Sequence, residues 1–223
     1  MSLFVSGSPV KHYQQFHVGV DIGKHQDHTA IVVVEDALVA LGTQDKVTFE
    51  RQVRREKYVR KVERLRLKTE YDKVIERVGQ VLDAKEMQGR NVFLSVDATS
   101  VGEYVTECMR KEYRAKRVGI TEVLITGGMT QHWQGRRFHI SRNALLDRLS
   151  LTLERGELAL PKGLRGMDLL QEELRGLRRT AGWKLMPRWE CLGEHDDLAM
   201  ALAMALWSAS NWEVPKKAPR VWG

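Results

Sequence analysis

Only two cysteines occur in the 223 residues, Cys108 and Cys191, and their separation matches no metal-binding spacing. A disulfide scaffold and a thiolate zinc site are excluded, and a reducing, intracellular setting is expected. Proline is also scarce, with five residues, two of them in the Lys-rich tail VPKKAPRVWG, which is expected to fray. No long linker and no internal repeat divides the chain. The longest apolar run, Leu198 to Trp207, has ten residues and is rich in Ala and Met, which suits a packed helix rather than a membrane span. The opening MSLFVSGSPV lacks a basic start and a long apolar core, so no signal peptide is expected. What remains is ordinary globular composition, 43% hydrophobic and 29% charged, enough for one substantial core.

One thing is in excess. The net charge is +7 and the isoelectric point is near 9.5, which favours a polyanionic partner because phosphates neutralised by Lys or Arg release counterions. Nine of the eighteen residues from Arg51 to Lys68 are Lys or Arg, with Tyr58 and Leu65 interleaved. A solvated helix face would carry the same pattern.

Periodicity supplies the element order. HVGVDIG, from His17 to Gly23, and TAIVVVEDA, from Thr29 to Ala37, read as two antiparallel strands, with a third through Lys46 to Gln52. Val74, Ile75, Val78, Val81 and Leu82 recur at helical spacing within Thr69 to Lys85. NVFLSVD is a strand ending at Asp97, and Ser100 with Glu103 has capping-box spacing for the next helix, whose stripe is Val101, Val105, Cys108 and Met109. A strand over Val118 to Thr126, a polar segment containing Trp133, and a helix through Leu145, Leu146, Leu149 and Leu153 follow. ELALP reads as a short extended piece, Leu170, Leu174 and Leu177 as a helix, WKLMPRWE as an edge strand, and the last helix starts at Asp196-Asp197. A meander of three followed by helical crossovers to parallel strands yields an α/β fold: a ribonuclease-H-like mixed sheet, three antiparallel strands plus parallel ones, with helices on both faces. The expected organisation is an arm over 1–16, one domain over 17–212 and a tail over 213–223.

Three acidic positions fall where this topology would bring chain segments together. Asp21 lies inside the first strand between Val20 and Ile22, where a carboxylate is costly unless paired or bound to a cation. Asp97 ends the strand expected beside it, and Asp196 and Asp197 open the last helix. Carboxylates sharing one site raise one another's pKa, and divalent metal relieves that. Two ions about 3.5–4 Å apart activate water and stabilise both oxygens of a phosphodiester displacement. Oxygen ligands without a Cys or His cluster suit Mg2+ or Mn2+ rather than zinc. Bland alternatives exist for each: backbone donors could satisfy Asp21, Asp97 could cap the helix after it, and Asp is a favoured N-cap at 196 or 197. Asp197 shares a stripe with Ala201 and Ala205, small residues that would let the helix lie close to the sheet and aim Asp197 at the other acids. Asp196 shares its stripe with Met200 and Met204, which suits a cap or a supporting acid. His195 could orient a water or a phosphate. Lys24, His25, Arg136 and Arg137 are candidate phosphate contacts, and Asp27 reads as a turn residue.

In order and spacing, VGVDIG, LSVDATSVGEYV, HISRNALLDRLSLTLERGELALP and GEHDDLAMALAMALW resemble the nuclease domain of phage terminase large subunits, over roughly His17 to Ser210. The resemblance implies a metal-dependent endonuclease that cuts concatemeric phage DNA during packaging, leaving 5′-phosphate and 3′-hydroxyl ends. It implies metal ligation by Asp21, Asp97 and Asp197, with Asp196 adjacent. It also implies double-stranded DNA as substrate, a packaging ATPase domain, a small terminase subunit and a portal as partners, and a phage or prophage origin in a bacterial cytoplasm. Full-length terminases carry a GxxxxGK[ST] phosphate loop, and this chain has none, so it resembles the nuclease domain alone and is not expected to hydrolyse ATP. Other readings remain open: a Holliday-junction-resolvase-like or integrase-like nuclease, an actin-like ATPase or sugar kinase suggested by VDIGKHQDHTAIVVV, or an inactive basic DNA-binding module.

Overall fold

The computed structural model describes residues 11–23, 27–44, 51–99, 102–127, 131–181 and 187–211. Residues 1–10 of the expected arm, the tail 213–223, Lys24, His25, and Ser100 and Val101 of the expected capping box and stripe lie outside the described residues, while residues 11–16 of that arm belong to the first strand of the sheet.

The chain begins with an antiparallel meander of β1 (Lys11–Asp21), β2 (Ala30–Gln44) and β3 (Arg51–Arg64). α1 (Tyr71–Leu82) leads to β4 (Asn91–Asp97), parallel to β1, and α2 (Gly102–Glu112) leads to β5 (Val118–Thr126), parallel to β4. A hairpin of β6 (His132–Gln134) and β7 (Arg137–Ser141) adds the next parallel strand. α3 (Arg142–Glu154), β8 (Leu158–Ala159), α4 (Met167–Gly176), β9 (Leu177–Ala181), β10 (Pro187–Cys191) and α5 (Asp197–Asn211) complete the chain. The main sheet has eight strands in the order β6-β7-β5-β4-β1-β2-β3-β8. It is the expected mixed sheet with helices on both faces.

Strand alternation divides the core in two. Val32 and Val34 of β2 pack with α3, α4 and α5 on one face. Ile31 and Val33 pack with α1 and α2 on the other, together with Phe16, Val18 and Val20 of β1 and Val92, Leu94 and Val96 of β4. Hence VVV in β2 reads as a continuous apolar run: that strand is buried on both sides. Ser141 starts α3 by accepting a hydrogen bond from Ala144 N at 3.1 Å. Among the described residues no helix is long and apolar enough to cross a membrane.

Three elements differ from the sequence reading. The third strand, expected over Lys46 to Gln52, is β3 over Arg51–Arg64, with 46–50 outside the described residues, so the basic run over 51–64 is a strand and not a solvated helix face. Its charges are absorbed by long-range pairs: Arg55 with Asp36 at 2.6 Å, Lys57 with Glu157 at 2.9 Å and Arg60 with Glu35 at 2.6 Å. A bulge at Arg60, where Val33 faces Lys61 but Val34 faces Val59, breaks the two-residue period that would have marked the strand. The polar segment around Trp133 is the β6–β7 hairpin, turning at Gly135 with a positive φ of 62°. The expected edge strand near Pro187 joins only β9, in a two-stranded ribbon apart from the main sheet.

Candidate functional site

Because Phe16, Val18 and Val20 point toward α1 and α2, the intervening His17, Gly19 and Asp21 point toward α5. Two contacts fix the alignment. His17 Nδ1 lies 2.8 Å from Ser208 Oγ. A Cβ on Gly19 would overlap the Ala201 carbonyl oxygen and stand 3.0 Å from Ala205 N. Moving up β1 therefore moves down α5, by about 6.6 Å per two strand residues and 6 Å per four helical ones. The next step pairs Asp21 with Asp197.

β4 behaves likewise. Phe93 stacks on His17 with ring centroids 5.1 Å apart, so Phe93, Ser95 and Asp97 share the α5 face. The parallel register runs to Val20 beside Val96, and Asp21 and Asp97 are the next residue on each strand. Asp97 Oδ1 accepts a hydrogen bond from Thr99 N at 2.8 Å, a local turn that holds the carboxylate at the strand end. Gly102 sits against the Asp97 carbonyl, where any side chain would overlap it. The structure thus brings Asp21, Asp97 and Asp197 to one end of one face.

Their electrostatics agree. Asp21 has its pKa raised well above the ordinary carboxylate value, first by burial, then by Asp97, Asp197, Asp196 and Asp27. Asp197 is 8% exposed, and its pKa is also raised, first by burial, with Arg64 and His195 opposing and Asp196 and Asp27 adding to the rise. Its Oδ2 is buried without a hydrogen-bond partner. His195 Nδ1 is 3.9 Å from that oxygen, too far to donate. Asp196 differs: Arg142 at the start of α3 binds its Oδ2 and also donates to the Trp189 carbonyl at 3.0 Å. The expected Asp cap of α5 is replaced by Glu173 of α4, which accepts from Ala199 N at 2.8 Å and is paired with Arg64. Among the described residues no three Asp, Glu, His or Cys side chains close tightly enough around one point to enclose an ion as they stand. An orphaned, buried carboxylate oxygen facing further acids is nonetheless a donor set that fits a hard cation.

Of the other candidates, His195 lies at the site, edge-on to His28 with centroids 5.2 Å apart. His28 Nδ1 donates to the Leu65 carbonyl at 2.7 Å, which ties the β1–β2 connection to the end of β3. Arg136 is exposed in the β6–β7 turn. Arg137 is engaged by Glu122 at 2.9 Å and by Glu103. Both arginines stand on the far side of β5 from Asp97. Arg142, Glu173, Gly19, Gly102 and His28 escaped the sequence reading; only the small-residue stripe of α5 hinted at a close partner such as Gly19.

Raised carboxyl pKa values make the metal-free protein sensitive to pH. A carboxyl that binds its proton more tightly when folded makes unfolding easier as pH rises from the ordinary range near about 4 through the raised value. Thermal melts in EDTA are therefore expected to show Tm falling through that window, with Asp21→Asn flattening the fall. A wild-type profile that rises with pH across the same window would contradict the arrangement of acids described here.

No protein-family model matches the chain, and no curated protein matches it in sequence. Solved structures do match. The large terminase nuclease of thermophilic phage G20c, with bound magnesium, superposes with a TM-score of 0.58 at 20% identity, over 92% of this chain and 87% of its own. The large terminase nuclease domain of Thermus phage P74-26 gives 0.55 at 18%, over 88% and 82%. The large terminase nuclease domain of bacteriophage SPP1, with bound manganese, gives 0.50 at 12%, over 87% and 86%. The architecture is thus ribonuclease-H-like. Within that class it is the fold of large terminase nuclease domains.

Proposed function

We propose that this chain is a metal-dependent endodeoxyribonuclease domain that hydrolyses phosphodiesters of double-stranded DNA with Mg2+ or Mn2+. The observation that carries the reading is the convergence of Asp21, Asp97 and Asp197 at one end of the α5 face, with Asp197 Oδ2 buried and unpartnered. These three carboxylates would hold two ions, and the fold likeness to nucleases solved with magnesium or manganese supports that choice. Bound there, the ions would activate water and balance charge on the attacking and leaving oxygens. Asp21, central to the cluster, brings the β1 end between the other two. Asp97 is oriented by its turn to Thr99, and Asp197 is aimed by the close packing of α5 on Gly19. Asp196, neutralised by Arg142, supports the helix start rather than ligating, and His195 is placed to orient a water or a phosphate beside Asp197. Lys24, His25, Arg136 and Arg137 are proposed as weaker backbone contacts, with Arg137 the poorest because two acids already occupy it.

The likeness also supports a role in cutting concatemeric phage DNA during packaging, with residues 17–212 as the working domain. A packaging ATPase domain, a small terminase subunit and a portal would be its partners, in the cytoplasm of a bacterial host. Isothermal titration with Mn2+ separates the paired aspartates. Asp197→Asn is expected to weaken binding by more than about a hundredfold and Asp196→Asn by less, since loss of a group supporting a ligand costs roughly 10–100-fold. Equal losses, or a larger one at Asp196, would reverse the assignment. Cleavage confined to four-way junctions would move the substrate to recombination intermediates.

A further inference from the structure

A second charged site lies at the opposite end of the sheet from the acids. It is a groove of about 1050 Å³ between α3 and the β3–β8 edge. Its lining acids are already engaged. Glu56 binds Arg54 and Tyr58, Glu157 binds Lys57 at 2.9 Å, and Asp147 accepts from the Trp189 indole at 2.8 Å. Arg55 serves Asp36 and the Ala209 carbonyl. Arg148 is what remains. It is half-buried in the groove wall, and no carboxylate or carbonyl among the described residues takes its donors. Burial pushes its guanidinium pKa down, with no acid acting in return. A partly desolvated charge without a counter-charge is costly unless a ligand supplies one. The planar guanidinium fork matches two oxygens of a phosphate, and Arg155, 3.9 Å from Glu157, stands exposed on the same groove.

We infer that this groove binds backbone phosphates of the nucleic acid that the acids act on, with Arg148 as the anchor. The inference rests on the nuclease reading above. Reach favours it: α5 runs from Asp197 at the acids to Ser210 in the groove wall. Thirteen helical steps span about 20 Å, which is roughly six phosphates along a DNA strand. A duplex gripped at both places would be held across about half a turn, and that would limit rotation about the cut. The chain's charge of +7 points the same way.

The test is fluorescence anisotropy in EDTA, where no cleavage occurs, with a labelled 20-base-pair duplex and titrated salt. Arg148→Gln is expected to weaken binding by about tenfold and to reduce the slope of log K against log salt by about one. Arg155→Gln is expected to act in the same direction, and because it lies on the rim it checks that the effect is not misfolding. Arg148→Gln removes a half-buried unpaired charge, so its Tm should not fall. Wild-type affinity and salt slope in both arginine variants would overturn the proposal. So would calorimetric binding of inorganic phosphate lost in Arg148→Gln with duplex binding intact, or displacement of the duplex by an acidic peptide with the same Arg148 dependence. Asp21→Asn must retain the Arg148-dependent binding, so failure of the metal site would leave this result readable.

Discussion

Asp21→Asn and Asp97→Asn are each expected to lower Mn2+-dependent nicking of supercoiled plasmid by more than about a hundredfold, beyond the usual cost of losing a group that merely supports a ligand. Loss of activity alone would not separate a ligand from a structural residue, but stability does. Asp21 is buried and held among acids, and both raise its pKa, so in EDTA its ionisation opposes folding as pH rises. Asn removes the ionisable group, and Tm should rise. With saturating metal the order should reverse, because a cation bound only by the native state stabilises it, by about 2.7 kcal/mol at a hundredfold excess over Kd. A variant that is inactive, more stable without metal and unresponsive to metal carries the signature of a ligand. Unchanged nicking by either variant would reject the site.

The second large effect lies away from the charges. Gly19→Ala places a methyl where the Ala201 carbonyl oxygen already sits, with Ala205 N 3.0 Å beyond. Both obstacles are helix backbone, which cannot rotate aside as a side chain can. Either α5 moves outward or β1 bends, and each opens the core between Val32, Val34 and Leu202. A loss of about 3 kcal/mol or more is expected, at or above the upper end for overpacking. Gly19→Val should not fold at all. If Gly19→Ala folds, Asp197 is displaced from Asp21, and Mn2+ affinity should drop although no acid has changed. Near-wild-type chemical denaturation of Gly19→Ala would show that the helix does not pack as closely as described.

Much of this arrangement was legible in the chain. β5 spans the expected Val118–Thr126, β4 ends at Asp97 as its apolar run implied, and the Ala201–Ala205 stripe does face the sheet. These are local signals, an apolar period or a strand end, and they survive folding because burial enforces them. What stayed hidden was pairing over long separations. Arg142 meets Asp196 across 54 residues, and Arg64 meets Glu173 across 109. No spacing rule marks such partners, so the helical stripe favoured Asp197 over Asp196 while the Arg142 pair that occupies Asp196 stayed hidden. The basic run over 51–64 misled for a related reason. Its cations answer Glu35, Asp36, Glu157 and Glu173 from other elements, while its bulge at Arg60 spoils the alternation. The β6–β7 hairpin was obscured because β6 is polar and exposed, and that strand's one large apolar side chain, Trp133, is 56% exposed.

The proposed cation site joins three carboxylates distant in sequence. The most direct measurement is a crystal soaked in Mn2+, with anomalous scattering recorded on either side of the manganese absorption edge. Peaks ringed by Asp21, Asp97 and Asp197 are expected, with Asp196 still on Arg142. Manganese bound only elsewhere, or an empty cluster at saturating metal, would contradict it.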